Sequence, residues 1–261
     1  LILGDVNGFN RPQRCLTFTD REPLAFDILS IGVDSMPVDW DKHASPSLVP
    51  IKPMQTFLER LDQRLASIVA RLQEPCRIAI VGGGVAGIEI ALCLRQRLQG
   101  MARSFAIEII TQSEQIAGGM RGRSVQRLNK ILENANIVVQ RASTVSRVEA
   151  DQIILEDGRS RPADVAIWAT GAAAPPVLHK LGLDSDPRGF VATKPTLQAI
   201  NEERIFAVGD SGTVIQSPHP KAGVYAVRQC PILWHNLNAL ATGGELLDFQ
   251  PQADFLKLLN T

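Results

Sequence analysis

The sequence predicts an α/β fold built on a parallel sheet covered on both faces. Three observations predict it. Residues 76–171 alternate apolar strand-like runs with helical patterns. Within that block an apolar run at 77–81 passes through Gly82-Gly83-Gly84-Val85-Ala86-Gly87 directly into an apolar helix. The segments on either side read as short strands and loops, so the alternation belongs to the middle of the chain. Strands joined by helical crossovers lie parallel, because a tight hairpin joins only antiparallel neighbours.

The elements follow in order. Residues 1–36 carry short apolar runs at 1–3, 15–18 and 26–31, with a turn signal at Asn7-Gly8, and read as short strands and hairpins. Prolines 37, 46, 50 and 53 mark a connecting segment. From 56 to 73, Phe57, Leu58, Leu61, Leu65, Ile68, Val69 and Leu72 keep one helix face apolar. The central block then reads as a strand at 77–81, a helix at 86–98 and a strand at 105–110. A helix at 123–134 carries Val125, Leu128, Ile131 and Leu132 on one side. A strand at 137–139, a hairpin across 145–155 around Ala150-Asp151 and an apolar strand at 164–169 complete a parallel sheet plus a β-meander. Beyond Pro176 come loops, a strand at 204–208 and a long helix from 222 to 240, which Pro231 is expected to kink or restart. The stretches LSIGVDSMP (29–37) and IWATGAAAPP (167–176) share a layout.

Composition narrows the partners. Lys plus Arg equals Asp plus Glu at 27 each, so no net field favours nucleic acid or an anionic membrane, and a small-molecule partner is expected. The chain has 261 residues, enough for one large domain or two ordinary ones. Cys15, Cys76, Cys93 and Cys230 form no CxxC pair, which suits a reducing, cytoplasmic setting, and each is expected as a small buried hydrophobe. The most apolar run, 78–94, is broken by four glycines and Glu89, so it is no membrane span. The chain opens on LIL without Met, which reads as a fragment. Histidines 43, 179, 219 and 235 have no metal or triad spacing, and His219 is expected on a loop or at the surface. Trp40, Trp168 and Trp234 read as core or interface residues.

The glycine turn carries the chemistry. Gly82, Gly84 and Gly87 occupy the three positions of G-x-G-x-x-G. The first permits a tight turn, the second lets backbone approach a pyrophosphate and the third lets the helix pack closely on its strand. The N–H groups of the helix start, at Val85 and Ala86, then face the phosphates. A dinucleotide is therefore the expected ligand. In an NAD site a ribose-binding acid follows about 20 residues on, at the end of the second strand. Thr111-Gln112-Ser113 stand there, with Glu108 inside the strand as a structural residue and Glu114 late. Arg121 and Arg123 either meet a 2′-phosphate or are solvated, so the sequence leaves NAD and NADP open.

Three segments in order give a resemblance. GGGVAGIE, ADVAIWATGA (163–172) and ERIFAVGDSG (203–212) are arranged as in the pyridine nucleotide-disulfide oxidoreductase superfamily, and LAFDILSIGVDSMP resembles the segment that closes its first FAD half. HPKAGVYAVRQCPILWHNL (219–237) is similar to the corresponding helix of type II NADH dehydrogenases and sulfide:quinone reductases. It resembles still more closely the NADH-dehydrogenase-like flavoproteins fused ahead of selenide, water dikinase.

The resemblance implies an NAD(P)H-binding domain at 76–172 inserted into an FAD-binding domain, with 1–50 and 173–261 belonging to the latter and 51–75 connecting. It implies that Gly209 and Asp210 approach the ribityl chain and phosphate of FAD, with the Asp210 carboxylate bonding a hydroxyl. The backbone at Lys221, Ala222, Gly223 and Val224 would meet the flavin pyrimidine edge. Glu89 would lie near the nicotinamide–flavin junction, and Thr170-Gly171 would mark the crossover between domains.

The implied activity is an FAD-dependent NAD(P)H oxidoreductase that passes electrons to an external acceptor such as a quinone. A peripheral place at the inner face of a membrane and a fused or docked enzyme domain are also implied. No residue is assigned as catalytic and no metal is expected. The chain departs from the family in lacking a βαβ fingerprint before Gly82, in stopping at Thr261 and in placing Asp34 where the family has glycine. Both ends therefore read as cut, and the alternative expectation is a non-catalytic nucleotide-binding or docking module. Cys230 stands where the family has a small residue and is expected to pack.

Overall fold

The structure is a computed structural model that describes residues 1–69, 75–99, 104–252, 255 and 259. Contacts divide the chain into two compact units, one of Leu1–Met36 with Ala172–Leu256 and one built on Pro37–Gly171. The first unit opens with β1 (Val6–Asn10), β2 (Cys15–Phe18) and β3 (Leu24–Ala25), an antiparallel sheet in the order β1-β2-β3. The expected strand at 1–3 is absent, and Leu1 and Leu3 are exposed. Asn7-Gly8 lies inside β1, where the register against β2 shifts; the reversal falls instead at 11–14, closed by Arg14 in a left-handed conformation (φ 47°). β4 is confined to Leu29–Ile31. The chain leaves this unit at β5 (Met36–Pro37) and returns at β14 (Ala172–Ala173), so the two stretches of matching layout are its two crossings.

The second unit contains β6 (Leu48–Pro50), α1 (Met54–Val69), β7 (Cys76–Val81), α2 (Val85–Leu98), β8 (Phe105–Ile110), α3 (Gly122–Asn134) and β9 (Ile137–Gln140). A meander of β10 (Val145–Val148), β11 (Gln152–Leu155) and β12 (Ser160–Pro162) precedes β13 (Val165–Trp168). The expected extension of α1 through Leu72 and Gln73 lies outside the described residues. The sheet runs β6-β13-β7-β8-β9, parallel throughout.

Alternation along its strands sends side chains to two cores. Ile78, Ile80, Ile107, Ile109, Val165 and Ile167 meet Leu61 of α1, Ile88 and Ala91 of α2 and Leu128 and Leu132 of α3. Ala79, Val81, Ala166 and Trp168 face Val148, Ile153 and Leu155 of the meander. All three helices therefore cover one face and the meander covers the other. Each fully buried Ile or Leu stabilises this arrangement by about 1.5–3 kcal/mol.

The first unit resumes with β14, α4 (Pro176–Lys180), β15 (Val191–Thr193), β16 (Gln198–Ala199), β17 (Glu202–Ala207), β18 (Gly212–Val214) and α5 (Gly223–Thr242). Its sheet runs β18-β15-β16-β17-β4, with β4 parallel to β17. α5 continues through Pro231 as one helix, so Pro231 does not restart it. The carbonyl that Pro231 leaves without a helical donor belongs to Val227, on the exposed side of α5.

Candidate functional site

The turn after β7 is shaped by what its glycines touch. Gly82 donates from its N–H to the Ile110 carbonyl at 2.9 Å and has φ +128°, a region closed to side chains. A Cβ there would lie 2.1 Å from the Ala169 carbonyl oxygen. A Cβ on Gly87 would lie 2.0 Å from the Gly82 carbonyl oxygen, and one on Gly83 would lie 2.7 Å from the Thr111 side chain. Gly84 differs: a Cβ there meets nothing within 4 Å. Three glycines are thus required by the protein's own packing, while the fourth opens onto free space.

Gly84 is also the N-cap of α2, in extended conformation and with no side-chain cap. The first helical bond runs from the Ile88 N–H to the Gly84 carbonyl at 3.1 Å, which leaves the N–H groups of Val85, Ala86 and Gly87 as the outward donors of the first turn. Glu89 is half-buried early in α2. Thr170 and Gly171 lie past β13. The Thr170 hydroxyl donates to the Val38 carbonyl at 2.8 Å and the Val38 N–H donates to the Gly171 carbonyl at 2.7 Å, so both are tied into the second unit.

A second constellation lies in the first unit, where β17 ends. Gly209, Asp210 and Ser211 form a 3₁₀ turn in which Gly209 has φ +60° and donates its N–H to the Gln229 side-chain oxygen at 2.6 Å. The Ser35 hydroxyl donates to the Asp210 carboxylate at 2.6 Å, and the Val33 N–H donates to the Ser211 hydroxyl at 2.8 Å. Asp34, between them, is left-handed at φ 64°. That conformation favours glycine and is tolerated by Asp. α5 then begins at Gly223 with Ala222 as N-cap and no side-chain cap, leaving another uncapped helix start beside Lys221 and Val224. Among the described residues no group of three or more His, Cys, Asp or Glu is placed to hold a metal ion.

The family model described as pyridine nucleotide-disulphide oxidoreductase matches residues 44–229. The chain belongs to that family. Its members are flavin-dependent oxidoreductases that use NAD(P)H. Among curated relatives, demethylphylloquinone reductase NdbB of Synechocystis is 30% identical over 255 residues, covering 91% of this chain and 60% of NdbB. The NADH dehydrogenase-like protein YutJ of Bacillus subtilis is 23% identical over 252 residues, covering 95% of this chain and 67% of YutJ. Among solved structures, an FAD-dependent pyridine nucleotide-disulphide oxidoreductase from Desulfovibrio vulgaris shares the fold with a TM-score of 0.68. It is 24% identical and covers 94% of this chain and 62% of that one. The chain thus spans 60–67% of the length of these proteins.

Several residues of this family member depart from their sequence-based expectations. His219 lies on the loop before α5, as expected, but is buried rather than at the surface, with its ring 4.2 Å from that of Tyr225 and 5.8 Å from that of Phe249, because the 245–252 segment packs Phe249 over it. Burial lowers its pKa. Cys15 and Cys76 are buried, but Cys93 and Cys230 are exposed on the outer faces of α2 and α5. Trp234 is 69% exposed, on the same side of α5 as Val227 and Cys230. α5 is apolar on both sides, so its periodicity did not reveal which side is inward. Glu108 is structural as expected, paired with Arg161 at 2.8 Å.

Gln229, Ser35 and Asp186 were missed. Each is a polar residue whose partner is distant in sequence or enclosed by a loop. The Asp186 carboxylate accepts from the Arg188 and Phe190 N–H groups and from the Thr213 hydroxyl.

Lys221 ties the loop before α5 to β18. Its ammonium donates to the Gly212 carbonyl at 2.6 Å and to the Thr213 hydroxyl at 3.0 Å, and it lies 4.0 Å from the Phe190 ring centroid. Burial pushes its pKa from 10.5 down to about 8, against the pull of Asp186 and Asp210 and with a smaller push from Arg188. Between those two values the unfolded chain holds this proton more often than the folded one, so folding becomes more favourable as pH rises through the window. Lys221→Met removes the group. The difference in stability between wild type and this variant is therefore expected to shift towards the wild type as pH rises from about 8 to 10.5, read from melting curves of the two proteins side by side. A flat difference would contradict the burial of this ammonium.

Proposed function

We propose that this chain supplies the nicotinamide-binding unit and part of the flavin-binding unit of an FAD-dependent NAD(P)H oxidoreductase whose electrons leave to an external acceptor of the quinone class. In this reading residues 76–172 form the NAD(P)H-binding domain, 51–75 connect, and 1–36 and 173–261 belong to the FAD-binding domain. Residues 37–50, which pack in the second unit, accompany the nucleotide domain. One observation carries the reading. Gly82 and Gly87 are closed by backbone contacts, while Gly84 faces open space at an uncapped helix start, the cradle a pyrophosphate needs.

When bound, nicotinamide and flavin supply the hydride transfer; the protein supplies position. The N–H groups of Val85, Ala86 and Gly87 hold phosphate oxygens, with the α2 dipole adding attraction. Ser35 fixes the Asp210 carboxylate, which would accept from a ribityl hydroxyl, and Gln229 fixes the Gly209 backbone from behind. The uncapped start of α5, from Lys221 to Val224, offers N–H donors and a positive dipole end to the electron-rich edge of a reduced flavin. Thr170 and Gly171 set the chain's exit from the nucleotide domain, and Glu89 flanks the nicotinamide end.

A lipid-soluble acceptor fits a peripheral place at the inner face of a membrane, and no helix among the described residues is long and apolar enough to cross one. The name of NdbB supports a quinone acceptor. The likeness of 219–237 to flavoproteins fused ahead of selenide, water dikinase supports a neighbouring enzyme domain of that kind.

Gly84→Ala tests the reading. The new Cβ has room in the folded protein, and the chain entropy it removes is offset by the poorer N-capping of alanine, so stability is expected to stay within about 1 kcal/mol. The methyl group occupies the space kept for the pyrophosphate, and the affinity for NAD(P)H, measured by calorimetry, is expected to fall about tenfold or more. Unchanged affinity in a folded variant overturns the assignment.

A further inference from the structure

The parallel strands β7, β8 and β9 end together: Val81 pairs with Ile110, and Ile110 pairs with Gln140. Ligands of open α/β sheets sit along that carboxyl edge. With the pyrophosphate at the end of β7, the adenosine ribose falls beside the end of β8, where its 2′ position meets Thr111, Gln112 and Ser113. This step rests on the reading of 82–87 given above.

The side chains at that point are neutral. Thr111 is buried against Gly83, and its hydroxyl accepts from the Ser113 N–H at 3.3 Å, so it is turned inward. Gln112 and Ser113 are exposed. The carboxylate of Glu108 is tied to Arg161 further back in the strand. A site selective for NADH presents an acid to the ribose 2′-hydroxyl, and here none stands at the strand end.

Cations border the same place. The Thr111 N–H donates to the Gln140 carbonyl at 2.9 Å, the Ser143 N–H to the Thr111 carbonyl at 2.9 Å and the Ala142 N–H to the Ser113 carbonyl at 3.3 Å. These bonds run residues 140–143 alongside 111–113 and put exposed Arg141 next to Gln112 in the backbone pairing. Arg141 uses one of its five N–H donors on the Asn129 side chain, at 2.7 Å. The connection from β8 then enters α3 through Arg121 and Arg123, both exposed, with no acid in the first turn. Cations at a helix start oppose the dipole, so this sequence is unfavourable for the helix alone and favourable beside a dianion. Glu114 is the one exposed acid within 111–121.

We infer that the nucleotide site selects NADPH over NADH, through a 2′-phosphate held at the end of β8 beside Arg141 and the arginines that open α3. Ser113 and Gln112 supply neutral hydrogen bonds to the same group.

Calorimetric titration of the whole chain with NADPH, NADH, 2′,5′-ADP and 5′-AMP at one fixed ionic strength tests this. NADPH is expected to bind about tenfold or more tightly than NADH, and 2′,5′-ADP to exceed 5′-AMP by a similar factor, the size of one charge-assisted contact. Arg141→Gln combined with Arg121→Gln is expected to remove most of that ratio while NADH affinity stays within about twofold. Ser113→Asp is expected to invert it. NADH binding as tightly as NADPH, or a ratio unmoved by the arginine and Ser113 variants, overturns the inference and leaves the glycine-turn reading intact. Binding of neither dinucleotide overturns that reading itself.

Discussion

Gly87→Ala is expected to cost the Pro37–Gly171 unit on the order of 3–5 kcal/mol and to abolish dinucleotide binding with it. The new Cβ would lie 2.0 Å from the Gly82 carbonyl oxygen and 3.5 Å from the Ile80 side chain, closer to the oxygen than any relaxed contact allows. The neighbour is backbone, and that backbone is itself pinned, since the Gly82 N–H bonds the Ile110 carbonyl and its Cα faces the Ala169 carbonyl. α2 must therefore withdraw from β7, which opens the contact between Ile88, Ala91 and the sheet. Gly82→Ala is expected to be at least as damaging, because φ +128° adds backbone strain to a 2.1 Å overlap with the Ala169 carbonyl oxygen. Denaturant titration of each variant measures the cost. A wild-type midpoint for Gly87→Ala would mean that the helix does not approach its strand as closely as described. Set against Gly84→Ala, the pair separates packing from ligand binding within a single turn.

The other large effect is expected at Asn236, in the unit of Leu1–Met36 with Ala172–Leu256. Its side chain is completely buried on the inner side of α5. The amide donates to the Thr196 carbonyl and to the Leu247 carbonyl, each at 2.9 Å, and its oxygen accepts from the Leu247 N–H at 2.7 Å. One residue thus joins the β15–β16 turn, α5 and the returning segment that carries Phe249 over His219 and Tyr225. Asn236→Leu keeps the branching at Cγ but leaves two carbonyls and one N–H unpaired in a partly buried setting. At about 1–3 kcal/mol for each orphaned group, partly relieved by water, the expected loss is on the order of 4 kcal/mol. Hydrogen exchange at the Leu247 amide is expected to speed up with it. Asn238→Ala is the control: that side chain is exposed and donates only to the Trp234 carbonyl within the helix, so a change within about 0.5 kcal/mol is expected. Equal effects at 236 and 238 would remove the special role given to the buried amide.

These contrasts show which parts of the molecule were legible from residue order. The strands of the central sheet and the helices α1, α2 and α3 were readable because their apolar residues repeat with the period of the element and meet a single core. The glycine turn was readable because closely packed backbone excludes every other residue type at Gly82 and Gly87. Asp34 carries a weaker form of the same signal, standing in a left-handed position that favours glycine. Ser35 and Asp210 are 175 positions apart, and nothing in either neighbourhood announces their bond. Gln229 looks like an ordinary polar helix residue until the turn at Gly209 is set against it. α5 was less legible, because apolar residues fall on both of its sides and because Pro231 is tolerated where the carbonyl it frees belongs to an exposed residue.

Residue order alone therefore determined the α/β class, the parallel arrangement of the central strands and the place of the glycine turn. Each of these follows from local periodicity or from steric exclusion over a few residues. Tertiary structure alone decided that the three helices share one face of the sheet and the meander takes the other. It also decided which cysteines face solvent, that His219 is enclosed, and that Arg141 is brought beside Gln112 at the carboxyl end of β8. Those outcomes depend on which distant segments pack together, and that choice is made by the summed burial of many side chains rather than by any one stretch of sequence.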